Sequence, residues 1–599
     1  MSEHNRKMLW RWLVRFSLAN GLVLLLIGIR FLMHYGWPDG SLAAIYLVAA
    51  STGYYALLAT LPLALLGAAV ILLWPRRGVL QAIVTVVAAL LVAWLFLDSL
   101  VFDQNRFHIT ALTARILAFK TWFFGAIYFL IALILEFQLA GYLWKRLETG
   151  KAGSGGKWLG MIVVLCLVFA QVAHIWADAN YYTPVTGLTE YLPGYRGATA
   201  KSFLLKRGWA DLEQARERQL AGRLTRSEKN RRLNYPLAPL ECNPPVQRLN
   251  LVIILVDAMR WDMLNESTTP QLSRFAASSA TLFEQHYSGG NSSRMGAFSL
   301  FYGLPVTYWK SLESMQRSAV LVDQLERDAY QFGIFSSAPL YRPVTLDRTA
   351  FANIKGLRLS TEPLSDPPHI RDRKITREWI DWLDNRDADN PFFGFLFYDA
   401  PTVKDSPPGY AGQFDAEPGQ EELARYRSAI HYDDLLIGEV LDDLGSRDLL
   451  DSTVVVISSD HGEQFSAPGQ AIEGHGSGYG EQQLRVPMLL HWPGRPAGRM
   501  SNRTSHNDLA PTLVEELLGC SNDPADYSSG RNLFSGEDWQ WLVTGSYYNY
   551  AIVQPDSIII TFPNGLFEVR DKAYNVVEKP QLDADVLTDV MQENTRFYK

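Results

Sequence analysis

The chain has 599 residues, too many for a single hydrophobic core, so several domains are expected. Its formal net charge is −7, which argues against a nucleic-acid partner. Three cysteines exclude a disulfide-dense scaffold; Cys166 lies in an apolar run, which leaves Cys242 and Cys520 as the two able to pair and their pairing open.

Apolar composition is concentrated before Trp176. Five stretches there, 16–33, 44–74, 79–100, 122–144 and 158–176, are long enough to cross a bilayer. No small-residue cleavage site follows the first, which therefore reads as an anchor. Basic residues set the orientation. Arg6, Lys7, Arg11 and Arg15 precede the first span. Arg76 and Arg77 separate the second from the third, and Lys145, Arg146, Lys151 and Lys157 separate the fourth from the fifth. With the N-terminus in the cytoplasm all three clusters face inward, and an odd number of spans sends the rest of the chain outward, into the periplasm of a Gram-negative cell. Arg30 and Asp98 lie near span ends. Glu136 sits deep in the fourth span, as a functional-site candidate or a buried contact between helices.

Residues 178–247 are polar and partly basic and read as a helical linker at the membrane surface. Thr199 is a fair N-cap for a helix running through Lys201, Lys206 and Arg207, and free N–H groups plus these cations suit a lipid phosphate. On composition alone, a solvated connector is the commoner meaning of such a string. Residues 216–232 are charge-rich and read as an exposed helix or strap.

From residue 248 onward strand-like and helix-like segments alternate, as in an α/β domain with a mainly parallel sheet. Two apolar runs, 249–256 and 453–457, read as strands buried on both faces. The first ends in Asp257 and the second leads into Asp460-His461-Gly462. Carboxylates and an imidazole at the carboxyl ends of parallel strands are suited to a divalent metal. Further strands are expected at 331–336, 392–398 and 486–491, and helices at 320–327, 374–384, 421–444 and 508–518. Short β-like runs at 557–561 and 565–569 place a small β-containing subdomain at 544–599. The expected architecture is therefore a five-helix transmembrane bundle (1–177), the linker (178–247), the α/β domain (248–543) and the C-terminal subdomain.

A nucleophile candidate lies in Ser288-Gly289-Gly290-Asn291-Ser292-Ser293-Arg294, ahead of an apolar run. A serine at a helix N-terminus is held among backbone N–H groups, and a metal would activate its hydroxyl. Arg294 is placed to hold a phosphate or sulfate oxygen. His475, between Gly474 and Gly476, is placed to protonate a leaving group or bind substrate.

Taken together, these motifs resemble the alkaline-phosphatase/sulfatase superfamily over most of 249–519. Asp257 looks like the first metal-binding strand end, Ser458 to Glu463 like the second, Gly474-His475-Gly476 with Arg485 to Gly494 like the closing segment, and Ser505 to Leu513 like the last core helix; Tyr432-Asp433 also fits. The Cys/Ser-x-Pro-x-Arg string of sulfatases is absent. The loop is more similar to lipoteichoic-acid synthases and phosphoethanolamine transferases, in which a Thr is the nucleophile; Ser292 takes that position here, with Ser293 as the alternative. The resemblance implies one divalent ion, Zn, Mn or Mg, held by Asp257, Ser292, Asp460 and His461. Where the superfamily often has a substrate-binding His, this chain has Asp399-Ala400-Pro401-Thr402.

Over nearly its whole length the chain also resembles a family of five-span inner-membrane proteins, on Ile175 to Tyr182, 199–208, Phe301-Tyr302-Gly303 and the span layout. That likeness implies lipid A binding by Thr199, Lys201, Lys206 and Arg207 at the periplasmic face, a role in lipopolysaccharide homeostasis, and restraint of a protease adaptor through the membrane domain. The family's basic pair is matched here only by Lys201-Ser202. Conversely, the best-known members lack the Asp-His-Gly that this chain carries.

Overall fold

The computed structural model describes residues 3–33, 37–38, 40–105, 107–150, 156–200, 203–204, 207–209, 233–243, 245, 248–416, 418–465, 474–547, 549–562 and 565–598. The chain divides into two units, Met1–Leu233 with Tyr598–Lys599, and Asn234–Phe597.

The first unit contains five long helices: α1 (Glu3–Leu32), α2 (Ser41–Leu73), α3 (Arg77–Asn105), α4 (Phe119–Glu148) and α5 (Gly156–Ala179). All five are long and apolar enough to cross a membrane. Helix α1 begins well before residue 16, because nothing in the basic stretch from Arg6 to Arg15 breaks a helix. Small residues let α1 and α2 approach closely: a Cβ on Gly21 would lie 2.9 Å from the Cα of Ala56. Glu136 is buried and accepts a hydrogen bond from Asn20 Nδ2 at 3.0 Å, so it joins α4 to α1. Arg30 reaches Ser99 and Asp103, and Asp98 accepts from the backbone of Ile109. Beyond α5, Gln171 and His174 hold the backbone of Ala198 through 2.7 Å hydrogen bonds. A helical turn follows. Its first bond runs from Leu204 N to Ala200 O, one residue past Thr199, and Arg207 stacks over Phe203. Lys201, Lys206 and residues 216–232 lie outside the described residues.

The second unit is built on a seven-stranded mixed sheet of order β3-β4-β1-β5-β6-β2-β7. The strands are β1 (Asn250–Val256), β2 (Thr281–Tyr287), β3 (Gln331–Ser336), β4 (Phe392–Tyr398), β5 (Thr453–Ser458), β6 (Met488–His491) and β7 (Gly498–Ser505). β3, β4, β1 and β5 run parallel, whereas β6 is antiparallel to both neighbours. Every residue of β1, β4 and β5 is buried, since helices cover both faces. Helices Pro368–Asn385 and Glu421–Ser446 pack on one face, and Phe301 of helix Ser293–Tyr302 meets Phe395 of β4 on the other, ring centroids 5.5 Å apart. The expected helix at 508–518 is a succession of short turns: 3₁₀ at His506–Asp508, α at Leu509–Thr512 and π at Leu513–Leu517. Strands β2 and β7 were not among the expected elements. A second, antiparallel sheet of order β11-β10-β9-β8 follows, from β8 (Leu542–Gly545), β9 (Tyr550–Val553), β10 (Ser557–Thr561) and β11 (Phe567–Asp571). Cys242 and Cys520 form a disulfide.

Candidate active site

Strand register assembles the site. β1 and β5 are parallel neighbours with Leu255 opposite Ser458. Two residues further along each (257 − 255 = 2 and 460 − 458 = 2), Asp257 and Asp460 emerge side by side at the sheet edge. His461 follows, and the three side chains, all buried, bring one ligand atom each to within 4.8 Å of one another.

The backbone fixes each ligand. Asp460 Oδ1 accepts from Ala258 N at 3.0 Å and from His461 N at 2.9 Å, which leaves Oδ2 for other work. Ala258 takes a left-handed φ of 62°, and Tyr426 clamps this turn by donating to Ala258 O and accepting from Arg260 N. His461 Nδ1 lies 2.9 Å from Gly462 O. A carbonyl only accepts, so Nδ1 carries the proton and Nε2 keeps its lone pair. Nε2 sits 3.5 Å from Asp257 Oδ1 and 3.7 Å from Asp460 Oδ2. Neither of those buried oxygens has a hydrogen-bond partner.

Two acceptor oxygens without a hydrogen-bond partner and a lone-pair nitrogen, turned toward each other, repel unless a cation or protons intervene. The two distances from Nε2 are close to the edge of about 3.4 Å that metal bonds of about 2.1 Å give in a tetrahedron. The residues therefore fit a divalent ion. In its absence, burial and then the charge of Asp460 push the Asp257 carboxyl upward. Burial likewise raises Asp460 to about 6, against the hydrogen bonds from Ala258 and His461. Burial, followed by the charge of His475, lowers His461 to about 4.

The serine that meets this group is Ser293. Its hydroxyl donates toward Asp257 Oδ2 at 3.3 Å and lies 3.3 Å from His461 Nε2. Ser292, the expected ligand and nucleophile, takes the extended N-cap position of helix Ser293–Tyr302, and its buried hydroxyl has no hydrogen-bond partner. Ser293, at the first helical position, faces the cluster instead. The helix comes this close because residue 296 is glycine: a Cβ there would lie 1.8 Å from Asp460 O.

Arg294 flanks the group. Its Nε donates to Pro343 O at 3.1 Å, and its guanidinium lies over the rings of Trp309 and Tyr547. The His475 ring centroid is 4.6 Å from that of His461, and His475 Nδ1 meets Glu463 Oε2 at 3.0 Å. Lys404 Nζ donates to the other oxygen of Glu463 at 2.7 Å. Burial opposes charge on His475, but the Glu463 hydrogen bond and the field of Asp257 outweigh it, and its pKa is raised. Asp399 is paired with Arg371 at 3.1 Å, and its backbone is held by Asp372. Thr199 and Arg207 belong to the other unit. Lys404, Trp309 and Tyr547 carried no motif that marked them in the sequence. Glu463, by contrast, lies within the Asp-His-Gly segment, and only its pairing was hidden.

Five helices long and apolar enough to cross a membrane stand ahead of a sulfatase-like α/β domain that carries this strand-end cluster. Residues 249–519 match the sulfatase family, and residues 1–242 match a domain of unknown function, DUF3413. Over 97% of its length the chain is homologous to the inner membrane protein YejM of Salmonella typhimurium, 27% identical across 96% of that protein. An uncharacterized protein of Haemophilus influenzae is 25% identical over 92% of this chain and 89% of its own. Among solved structures, the lipoteichoic acid synthase LtaP of Listeria monocytogenes aligns with 60% of this chain and 95% of its own, at 15% identity and a TM-score of 0.45.

Proposed function

We propose that the α/β domain is a metal-dependent phosphoesterase or lipid head-group transferase that works at the periplasmic face of the inner membrane. One observation carries this reading: Asp257 Oδ1 and Asp460 Oδ2, neither with a hydrogen-bond partner, converge on His461 Nε2, and Ser293 Oγ adjoins them. The ligand set is Asp257, Asp460, His461 and the Ser293 hydroxyl, with Ser293 in the place expected for Ser292. Oxygen and nitrogen donors together admit Zn, Mn or Mg. A divalent ion there would acidify the serine hydroxyl and draw charge from phosphoryl oxygens.

Ser293 Oγ gives up its hydroxyl proton to water and attacks phosphorus, the ester P–O bond breaks and a phosphoserine forms. His475, whose charged form the Glu463 hydrogen bond favours, gives its proton to the departing oxygen. Arg294 supplies positive charge to the anionic substrate. Water or a lipid hydroxyl then releases the phosphoryl group. Phosphate is favoured over sulfate because the loop lacks the Cys/Ser-x-Pro-x-Arg string of sulfatases. The test compares full-length protein in detergent with its Ser293→Ala, Ser292→Ala, Asp460→Asn and His461→Ala variants for hydrolysis of an aryl phosphate with each metal. Equal turnover in Ser293→Ala would sink the nucleophile.

The periplasmic placement is supported by the three basic clusters and by the Cys242–Cys520 disulfide, which suits an oxidising compartment.

The whole-length likeness to YejM, membrane half included, favours a second and compatible role. Here the protein senses lipid A in lipopolysaccharide homeostasis through Thr199, Lys201, Lys206 and Arg207, and restrains a protease adaptor through the membrane domain. Charge-assisted phosphate contacts contribute on the order of 1–3 kcal/mol each. Replacing Lys201, Lys206 and Arg207 with Ala should therefore weaken lipid A binding by roughly tenfold or more; unchanged affinity would leave a solvated connector.

A further inference from the structure

His475 stands in a segment whose own backbone is permissive. Gly474 and Gly476, on either side of it, take left-handed φ values of 75° and 69°, and glycine readily takes other conformations. Contacts from elsewhere therefore decide where the imidazole sits. Asn291, fully buried in the loop that leads to Ser293, makes two of them. Its backbone carbonyl accepts from Gly476 N at 2.7 Å, and its side-chain Nδ2 donates to Gly478 O at 2.6 Å. The reversed amide would set Oδ1 against that carbonyl, acceptor against acceptor, so Nδ2 is the atom that faces it. The N–H of Asn291 is itself anchored, donating to Gly545 O at the end of β8 at 3.0 Å. Gln483, also buried, adds a second hold. Its Oε1 accepts from Ser477 N at 3.3 Å and from Gly478 N at 3.1 Å, and its backbone carbonyl accepts from Gly462 N, next to His461.

We infer that Asn291 is a positioning residue: it ties the loop that carries Ser293 to the loop that carries His475, so that the attacking and the protonating group keep one spacing across the phosphoryl group. The inference rests on the reading of Ser293 as nucleophile and His475 as acid. His475 Nδ1 is taken up by Glu463 at 3.0 Å, which leaves Nε2 to deliver the proton. As the Oγ–P bond forms and the ester P–O bond breaks, the departing oxygen takes the Nε2 proton and the imidazole is left neutral. That transfer works only within hydrogen-bond reach of the departing oxygen. A displaced acid therefore slows the loss of a strongly basic oxygen most, and hardly affects an oxygen that leaves readily as an anion.

Two substrates separate this role from a merely structural one. Phenol is a weaker acid than p-nitrophenol, so phenyl phosphate needs a proton on its departing oxygen far more than p-nitrophenyl phosphate does. Asn291→Ala removes the amide and keeps the backbone bonds. In full-length protein in detergent with Mn²⁺, this variant should lose about 10²-fold in kcat/KM on phenyl phosphate, the scale for a misplaced reacting group. It should change little on p-nitrophenyl phosphate, with bound metal unaltered. His475→Ala should discriminate in the same sense, and adding Asn291→Ala to it should cost nothing further, because Asn291 acts through His475. Equal losses on both substrates in Asn291→Ala, or additive losses in the double variant, overturn the proposal, as does a loss that tracks lost metal. If His475→Ala does not discriminate between the substrates, the acid assignment itself falls, and the role of Asn291 with it. Where Asn291→Ala does not fold, Asn291→Ser, polar but too short to reach Gly478 O, is read by the same two substrates and the same outcomes.

Discussion

Ser293 Oγ lies 3.3 Å from His461 Nε2, whereas the hydroxyl one residue earlier, on Ser292, meets no partner. The difference is one position across a helix start, and it sets Ser293, not Ser292, beside the cluster. Ser293→Ala should keep bound metal and lose turnover by more than about 10³-fold, and Ser292→Ala should keep most of both. Steady-state kinetics beside metal analysis would check this. The reverse ranking of the two variants would restore Ser292.

Gly296 brings helix Ser293–Tyr302 against Asp460. Gly296→Ala must move the helix or the strand end, since its methyl would overlap Asp460 O. The expected cost is about 1–3 kcal/mol of stability, with loss of metal affinity because Asp460 shifts. Thermal unfolding with and without metal reads both. A variant as stable and as metal-tight as wild type would show that the helix does not pack here.

Protons compete with metal at this site. Burial raises Asp460 to about 6 and moves Asp257 in the same direction, while His461 stays neutral down to about 4. Metal affinity should therefore fall as pH drops through about 6. Stability of the metal-free protein has the opposite sign. Carboxyls whose folded pKa is raised contribute stability that is full below the ordinary 3.8 and is lost as pH rises through about 6. Metal addition should thus raise Tm more at pH 8 than at pH 5. An equal shift at both would remove the carboxylates from the ligand set.

Much of this arrangement could be read from residue order. Strands β3 and β4 fall at the expected bounds, because Gln331–Ser336 and Phe392–Tyr398 are compact apolar runs. Asp257 and Asp460 could be linked beforehand because both close strands buried on two faces. Strands β2 and β7 were hidden, since Thr281–Tyr287 and Gly498–Ser505 are rich in polar residues and half-exposed, so no apolar run marks them. The choice between Ser292 and Ser293 was equally illegible. A Gly/Ser string has no periodicity, and only the position where the helix starts decides which hydroxyl turns inward. Cys242 reaches Cys520 through tertiary pairing across 278 residues, which no local pattern encodes.

Orientation is testable without the site. A reporter fused after Ser154 should behave as cytoplasmic and one after Asn250 as periplasmic. Thiol labelling under native conditions should leave Cys242 and Cys520 unmodified until reductant is added. The opposite reporter pattern, with both thiols free, would reverse the topology and with it every lipid A argument.

The central claim is that Asp257, Asp460 and His461 bind a divalent metal. The most direct measurement is metal content per chain, by elemental mass spectrometry, of full-length protein and its Asp460→Asn variant after equilibration with Zn²⁺, Mn²⁺ or Mg²⁺. The account predicts one tightly held ion per wild-type chain for at least one of these metals, and its loss in Asp460→Asn. Wild-type protein that retains none of the three, or a variant that retains as much as wild type, would contradict it.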